Sequence, residues 1–349
     1  MKTAIIGLPM TGKTSLFTIL TGVHQETKIG STSARMGVAK VPDPRLEALA
    51  QLFEPKKTTY ATVEYLDVPS ISKENLRDPG YLASLRVVDA FAQVLRLFGD
   101  EPDPVGDLED VETELILSDL VVIEKRLERL DKDRKKVKNP ELDREFELLT
   151  RCKATLEANQ PLRVLELDAD DSKRLRGFQF LSQKPVLYVL NLGEEDAPRL
   201  RDREREYREG TLAGRLNTAV AAVCGKIEAE LAELPREEQQ DYLKSYGLAE
   251  SGLERLISAT YSLLGLMSFL TAGEDECRAW TIPLNSTAPK AAGAIHSDFE
   301  KKFIRAEVVN WKNLTDLRGY AGVREKGLLR LEGKEYIVKD GDVLVIRHG

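Results

Sequence analysis

The chain has 349 residues, 42% hydrophobic and 31% charged, and its 51 lysines and arginines against 58 aspartates and glutamates leave a net charge of −7. That composition excludes a disordered or fibrous chain, and the length allows two or three domains with buried cores. No run of about 18 apolar residues occurs. The opening stretch is broken by Gly7, Pro9, Gly12 and Lys13, so neither a transmembrane span nor a secretory leader is expected. Cys152, Cys224 and Cys277 are far apart and form no CxxC pair, which points to a reducing cytoplasm without disulfides or a zinc site. A pI near 5.4 argues against broad nucleic-acid binding, so neither DNA nor a membrane is an expected partner, while a local basic patch could still meet RNA.

Residues 3 to 6 form a short apolar run that stops at Gly7, and Lys13 to Thr21 read as a helix with Leu16, Phe17 and Leu20 inward. Between them Gly7-Leu8-Pro9-Met10-Thr11-Gly12-Lys13-Thr14 matches G-x-x-x-x-G-K-[ST]. The glycines let such a loop curl so that successive N–H groups face phosphate, and the helix adds its positive dipole end. Gly7, Pro9, Met10, Thr11, Gly12, Lys13, Thr14 and Ser15 are thus the expected phosphate cradle. Lys13 should reach the β and γ phosphates and the Thr14 hydroxyl should bind Mg²⁺. The next loop, Lys28 to Arg35, offers Ser31 or Thr32 as a contact to the γ-phosphate or the metal.

Further β-rich runs at 59–67, 88–98, 185–191 and 217–223 are mostly too continuously apolar for half-exposed strands, which predicts a largely parallel α/β sheet. Asp67 closes the first of these runs, in position to bind Mg²⁺ directly or through water. In switch-type NTPases that position opens D-x-x-G; here it is Asp67-Val68-Pro69-Ser70, where Ser70 keeps an N–H for the γ-phosphate and Pro69 offers none. After the third run, Asn191-Leu192-Gly193-Glu194 stands where N-K-x-D would read guanine. Glu194 is a methylene longer than Asp and the stacking lysine is missing, so no preference for guanine is expected. Cys224 and Gly225, after the fourth run, could add backbone contacts to the base.

Between 111 and 177 the strands give way to helix. Ile116, Leu120, Ile123, Leu127 and Leu130 step by four and three, and a second stripe runs from Leu142 to Leu156 after Asn139-Pro140. This predicts an antiparallel coiled-coil arm whose first helix, about 24 residues, spans roughly 36 Å. The turn at its tip carries Lys132, Arg134, Lys135, Lys136 and Lys138, either as a solvated turn or as a contact for phosphate backbone. Residues 237 to 268 read as helical. A small mixed β domain should follow, with a Gly- and Ala-rich stretch from Lys290 to Glu300 and strands at 303–309, 328–331, 335–338 and 343–347.

With these motifs in place, the chain resembles the YchF family, the Obg-like ATPases of the translation-factor class of P-loop NTPases. The resemblance is strongest in Arg278-Ala-Trp-Thr-Ile, Thr287 to Glu300, Phe303 to Val308, Arg330 to Tyr336 and Asp340-Gly-Asp342, which are similar to the family's ubiquitin-like TGS domain. Val41 to Leu46 and Glu112 to Leu120 extend it along essentially the whole chain. It implies three domains: a nucleotide-binding domain over 1–110 and 178–264, a coiled-coil insert over 111–177 and a β-grasp TGS domain over 265–349. It also implies a cytoplasmic, ribosome-associated factor that binds ATP at least as well as GTP. Ribosomal RNA would be met by the arm tip and by the TGS domain, through Lys290, Lys301, Lys302 and Arg305.

The departures concern hydrolysis. Met10 stands where the family carries an asparagine linked to potassium assistance, and the loop Gly99 to Asp107 lacks the family's histidine; His24, His296 and His348 lie elsewhere. With Ser70 in place of glycine, these imply a slow Mg²⁺-dependent ATPase or GTPase, or an interaction module that binds nucleotide without turnover. A metabolic kinase is disfavoured, since no acceptor site or arginine-rich lid is visible.

Overall fold

The computed structural model describes residues 1–23 and 34–349. Twelve strands form among the described residues: β1 (Lys2–Ile6), β2 (Arg35–Lys40), β3 (Lys57–Thr59), β4 (Thr62–Asp67), β5 (Ala90–Leu97), β6 (Val186–Leu192), β7 (Thr218–Val223), β8 (Leu266–Thr271), β9 (Glu276–Pro283), β10 (Phe303–Asn310), β11 (Arg330–Glu332) and β12 (Asp342–His348). They make two six-stranded sheets, ordered β2-β4-β1-β5-β6-β7 and β11-β10-β12-β8-β9-β3.

In the first sheet β4, β1, β5, β6 and β7 run parallel, as their apolar continuity predicts; all seven residues of β6 are buried. Each fully buried Leu or Phe there adds roughly 1.5–3 kcal/mol of transfer free energy. The register sets Ile5 opposite Asp67, and Asn191 opposite both Arg96 and Val223. The strands' carboxyl ends therefore open along one edge, where ligands of such sheets bind.

The arm's first helix is longer than expected, 33 residues from Pro104 to Lys136, because Asp103 caps it by accepting from the Gly106 N–H at 3.0 Å and Pro104 occupies its first turn. Its early apolar residues, Leu108, Val111 and Leu115, pack into the sheet's core, and only from Ile116 onward does it pack with the second helix, Pro140–Glu157. Arg126 clamps Glu145 at 2.7 and 2.8 Å and Lys153 meets Glu124 at 3.0 Å, which fixes the antiparallel register. At the arm's base the buried Asp119 carboxylate accepts from the Leu181 and Ser182 N–H groups and the Ser182 hydroxyl.

The chain divides into two compact units, Met1–Val38 with Glu64–Leu263 and Ala39–Val63 with Leu264–Gly349. This corrects the expected boundaries, which put 39–63 with the nucleotide-binding domain. The predicted strand 59–67 breaks at Tyr60-Ala61: β3 pairs in parallel with β9, while β4 joins the first sheet. Arg45 spans Asp43 at 2.8 Å and Asp340 at 2.7 Å, and Phe53 meets Tyr320 with ring centroids 5.7 Å apart, so the helix Pro44–Phe53 belongs with the C-terminal residues.

In that second unit β10 pairs antiparallel with β11 and β12, β8 antiparallel with β9, and β12 parallel with β8, a β-grasp arrangement over the helix Ala288–Ile295. Three expectations fail locally. The Gly- and Ala-rich stretch is helical, over Ala288–Ile295 and Ser297–Lys301, because Ala292 and its neighbours are small enough to pack flat on the sheet. Residues 335–338 form only an isolated bridge, Thr287 to Ile337. The helical stretch 237–268 splits into Arg236–Ser245 and Gly252–Leu263, separated by Gly247 at φ 72°, and its end becomes β8. No helix among the described residues is long and apolar enough to cross a membrane.

Candidate nucleotide site

The predicted phosphate cradle leaves β1 at Gly7 and enters the helix Lys13–Thr21. Two of its glycines are required by geometry. Gly7 has φ +143°, and a Cβ there would lie 2.7 Å from the Val94 carbonyl oxygen; Gly12 has φ +91°, and a Cβ would lie 2.5 Å from Asn191 Nδ2. Met10 is also left-handed, at φ 62°, with its side chain 87% exposed. Thr11 is buried, its hydroxyl donating to the Leu8 carbonyl at 3.2 Å, whereas Pro9, Thr14 and Ser15 face solvent.

Lys13 is only 7% exposed, and its ammonium donates to the Leu8 carbonyl and, at 3.1 Å, to Ser70 Oγ. Burial pushes its pKa down to about 8, against the opposing pull of the Asp67 carboxylate. Asp67, at the end of β4, is 6% exposed. Its Oδ2 accepts from Thr14 Oγ1 at 3.3 Å and also holds the Arg35 guanidinium in an ion pair. Hard oxygens on a hydroxyl and a buried carboxylate at this spacing suit Mg²⁺, which keeps most of its waters and needs few protein ligands. No group of three His, Cys, Asp or Glu side chains fit to hold a metal exists among the described residues.

Ser70 is held in place by its neighbours. Its carbonyl accepts from Asn75 Nδ2 at 2.7 Å, the Pro69 carbonyl accepts from Tyr81 Oη at 2.9 Å, and the Ile71 N–H reaches the Gly7 carbonyl at 3.3 Å. The sequence suggests a role for the Ser70 N–H; the group that meets Lys13 is its hydroxyl. Thr32 and Ser31 lie outside the described residues, as does His24.

Beside the cradle a cavity of about 490 Å³ is lined by Phe98, Leu192, Glu194, Cys224, Lys226 and Ala229 among others, the size and character of a small-molecule site. Asn191 also lines this space, with both ends of its amide engaged by backbone. Its Nδ2 donates to the Thr11 carbonyl and its Oδ1 accepts from the Gly225 N–H, each at 3.0 Å, so it joins the loop after β1 to the start of the helix after β7. Glu194 is engaged by Lys226 at 2.5 Å. Cys224 is buried, which raises its thiol pKa. Phe98 and Ala229 escape sequence reasoning because nothing local marks an apolar strand exit or helix alanine as pocket-lining. Arg35 escapes it because its contact with Asp67 arises only when β2 lies beside β4.

Comparison with known proteins agrees with this architecture. A family model described as YchF-GTPase_C, a protein of unknown function (DUF933), matches residues 266–349. The chain is 40% identical over 362 residues to the ribosome-binding ATPase YchF of Bacillus subtilis, covering 99% of each, and 38% identical to that of Escherichia coli O157:H7, covering 98% of each. The structure of the Schizosaccharomyces pombe YchF GTPase superposes with a TM-score of 0.86 at 28% identity, over 99% of this chain and 97% of that one. With its phosphate loop, parallel sheet, helical arm and β-grasp unit, the chain belongs to the YchF family of P-loop NTPases.

Proposed function

We propose that this protein binds ATP with Mg²⁺ at the carboxyl edge of the parallel sheet, hydrolyses it slowly, and uses the bound state to govern its association with the ribosome in the cytoplasm. The observation that carries the reading is the buried Lys13 ammonium, whose hydrogen-bond partners are a neutral carbonyl and a hydroxyl. A desolvated cation without a neutralising contact is costly, and a triphosphate in the cradle supplies that contact. The loop N–H groups and the helix N-terminus bind the phosphate oxygens while Lys13 moves from Ser70 to the β and γ phosphates. Thr14 and Asp67 would hold the metal, which when bound would offset triphosphate charge. At the other end the Lys226 ammonium occupies the Glu194 carboxylate that would otherwise accept from guanine N1 and N2, so adenine is not disfavoured.

Slow turnover is supported by the histidines. Among the described residues they are His296 and His348, both in the C-terminal unit, and the Met10 side chain has no oxygen for a monovalent cation. The same facts favour a second reading, in which nucleotide is a structural ligand without turnover. Equilibrium titration of ATP and GTP, followed by multiple-turnover phosphate release, separates the two. Lys13→Ala should weaken Mg·ATP binding more than about tenfold, and GTP should bind no tighter than ATP. Unchanged ATP affinity in a folded Lys13→Ala protein would refute the site; phosphate release no faster than that of Lys13→Ala would favour the second reading.

For the partner, the ribosome-binding relatives support the ribosome, and the arm tip supports a phosphate contact. Arg134 and Lys135 are paired with Asp143 and Asp131, whereas Lys132, Lys136 and Lys138 are exposed with no ion pair among the described residues. Reversing these three to Glu should reduce both ribosome co-sedimentation and its steepness with salt, since fewer counterions are released per binding event. Lys290, Lys301, Lys302 and Arg305 of the TGS-like unit supply a second surface, so loss should be partial. Identical binding at every salt concentration would make the tip a solvated turn.

A further inference from the structure

We infer that Arg35 is a built-in competitor for the metal: its guanidinium holds the Asp67 carboxylate until Mg²⁺ arrives with nucleotide, and so sets the Mg²⁺ concentration at which ATP binds tightly. This rests on the proposed metal site at Thr14 and Asp67. The oxygen that Arg35 engages, Asp67 Oδ2, is the one facing the Thr14 hydroxyl. Mg²⁺ requires its ligand oxygens at about 2.0–2.1 Å in a near-octahedral shell, which leaves no room for a guanidinium on the same oxygen.

The pair is also built to persist. Both side chains are largely out of water, at 12% and 6% exposure, so solvent screens their attraction poorly. The Phe17 ring lies beneath the guanidinium, 5.3 Å from centroid to Cζ, and gives the cation a seat on the helix that carries Lys13 and Thr14. Arg35 opens β2 and Asp67 closes its sheet neighbour β4, so both partners project from strands. A hydrated divalent ion alone must displace this contact without help. Mg²⁺ carried on a triphosphate arrives with the extra attraction of Lys13 and the loop for the phosphates, and the displaced guanidinium remains beside an anion. Arg35 thereby couples metal entry to nucleotide entry.

The test is a titration of the full-length protein with a fluorescent ATP analogue across a Mg²⁺ series and in EDTA, read as nucleotide affinity and independent of turnover. Arg35→Ala should lower the Mg²⁺ concentration at half-maximal effect by about tenfold, with Arg35→Lys in between. In EDTA the sign should reverse: without its guanidinium Asp67 repels the triphosphate, and the variant should bind more weakly than wild type. The shift in Mg²⁺ midpoint should vanish in an Asp67→Asn background, where no carboxylate is left to compete for. Arg35→Gln, checked by thermal melting, guards against misfolding of the alanine variant. An unchanged or raised Mg²⁺ midpoint, or a uniform loss of affinity at all Mg²⁺ concentrations, overturns the inference while leaving the nucleotide site standing. Failure of wild type to bind ATP under any condition removes the nucleotide reading itself, and this inference with it.

Discussion

At the proposed phosphate end of the site the charges are buried, with Arg35 paired to Asp67, whereas at the proposed base end they stand on the rim. Lys13 and Asp67 are 7% and 6% exposed, while the Lys226 and Glu194 side chains are 64% and 35% exposed. The same kind of contact, an ammonium or guanidinium beside a carboxylate, therefore does different work in the two places. Out of water a charge interacts strongly and its loss is costly; at the rim an ion pair is worth about 0–1 kcal/mol. The phosphate end should govern whether nucleotide binds at all, and the base end only which nucleotide is favoured.

Three perturbations would break or sharpen that contrast. The largest effect should come from Gly12→Ala, because the added methyl meets the Asn191 amide at 2.5 Å in a backbone conformation that alanine adopts at a cost of about 1–3 kcal/mol. Asn191 bridges both ends, so ATP binding should be abolished; calorimetry showing wild-type affinity would mean the bridge is slack.

A smaller effect should follow from pH. The Lys13 amine, held near pKa 8 when unliganded, is protonated below that value, and a bound triphosphate favours the protonated form and raises the pKa. ATP affinity should therefore be fully present below pH 8 and fall by up to about tenfold per unit above it, until the pKa of the bound state is reached. Affinities measured from pH 6.5 to about 9.5 test this, and a flat profile would show that Lys13 keeps its ordinary pKa.

The smallest effect should be that of Lys226→Ala. Freeing the Glu194 carboxylate lets it accept from guanine, so the ratio of GTP to ATP affinity should rise by a few fold, within the roughly 1 kcal/mol of a rim pair. A ratio unchanged in parallel titrations would remove Glu194 from base selection.

Much of the phosphate end was legible in the chain because its chemistry is local. Gly7, Gly12, Lys13 and Thr14 lie within eight residues, and a loop between a buried strand and a helix leaves few alternatives for their geometry. Asp67 was legible for a related reason: a strand's last residue in a parallel sheet faces the ligand edge. Asn191 was found, but its task was not. Whether an amide points at a base or at the Thr11 carbonyl depends on how closely the loop and β6 approach, which no spacing encodes.

The sequence by itself determined the class of the fold, the phosphate loop, the two-helix arm and the mixed β character of the C-terminus, because each is written in periodicity or in residues close along the chain, while its β-grasp arrangement was implied only by the family resemblance. Only the tertiary structure decided that residues 39–63 join the C-terminal unit, since a run that reads as one strand can be cut at Tyr60-Ala61 and shared between two sheets. It alone decided the pairings of Lys13 with Ser70, Arg35 with Asp67 and Lys226 with Glu194, which stand 57, 32 and 32 residues apart. The physical reason is common to all three. A charged side chain settles on whatever partner the packing of strands and helices brings within reach, and that reach is set by sheet order, not by distance along the chain.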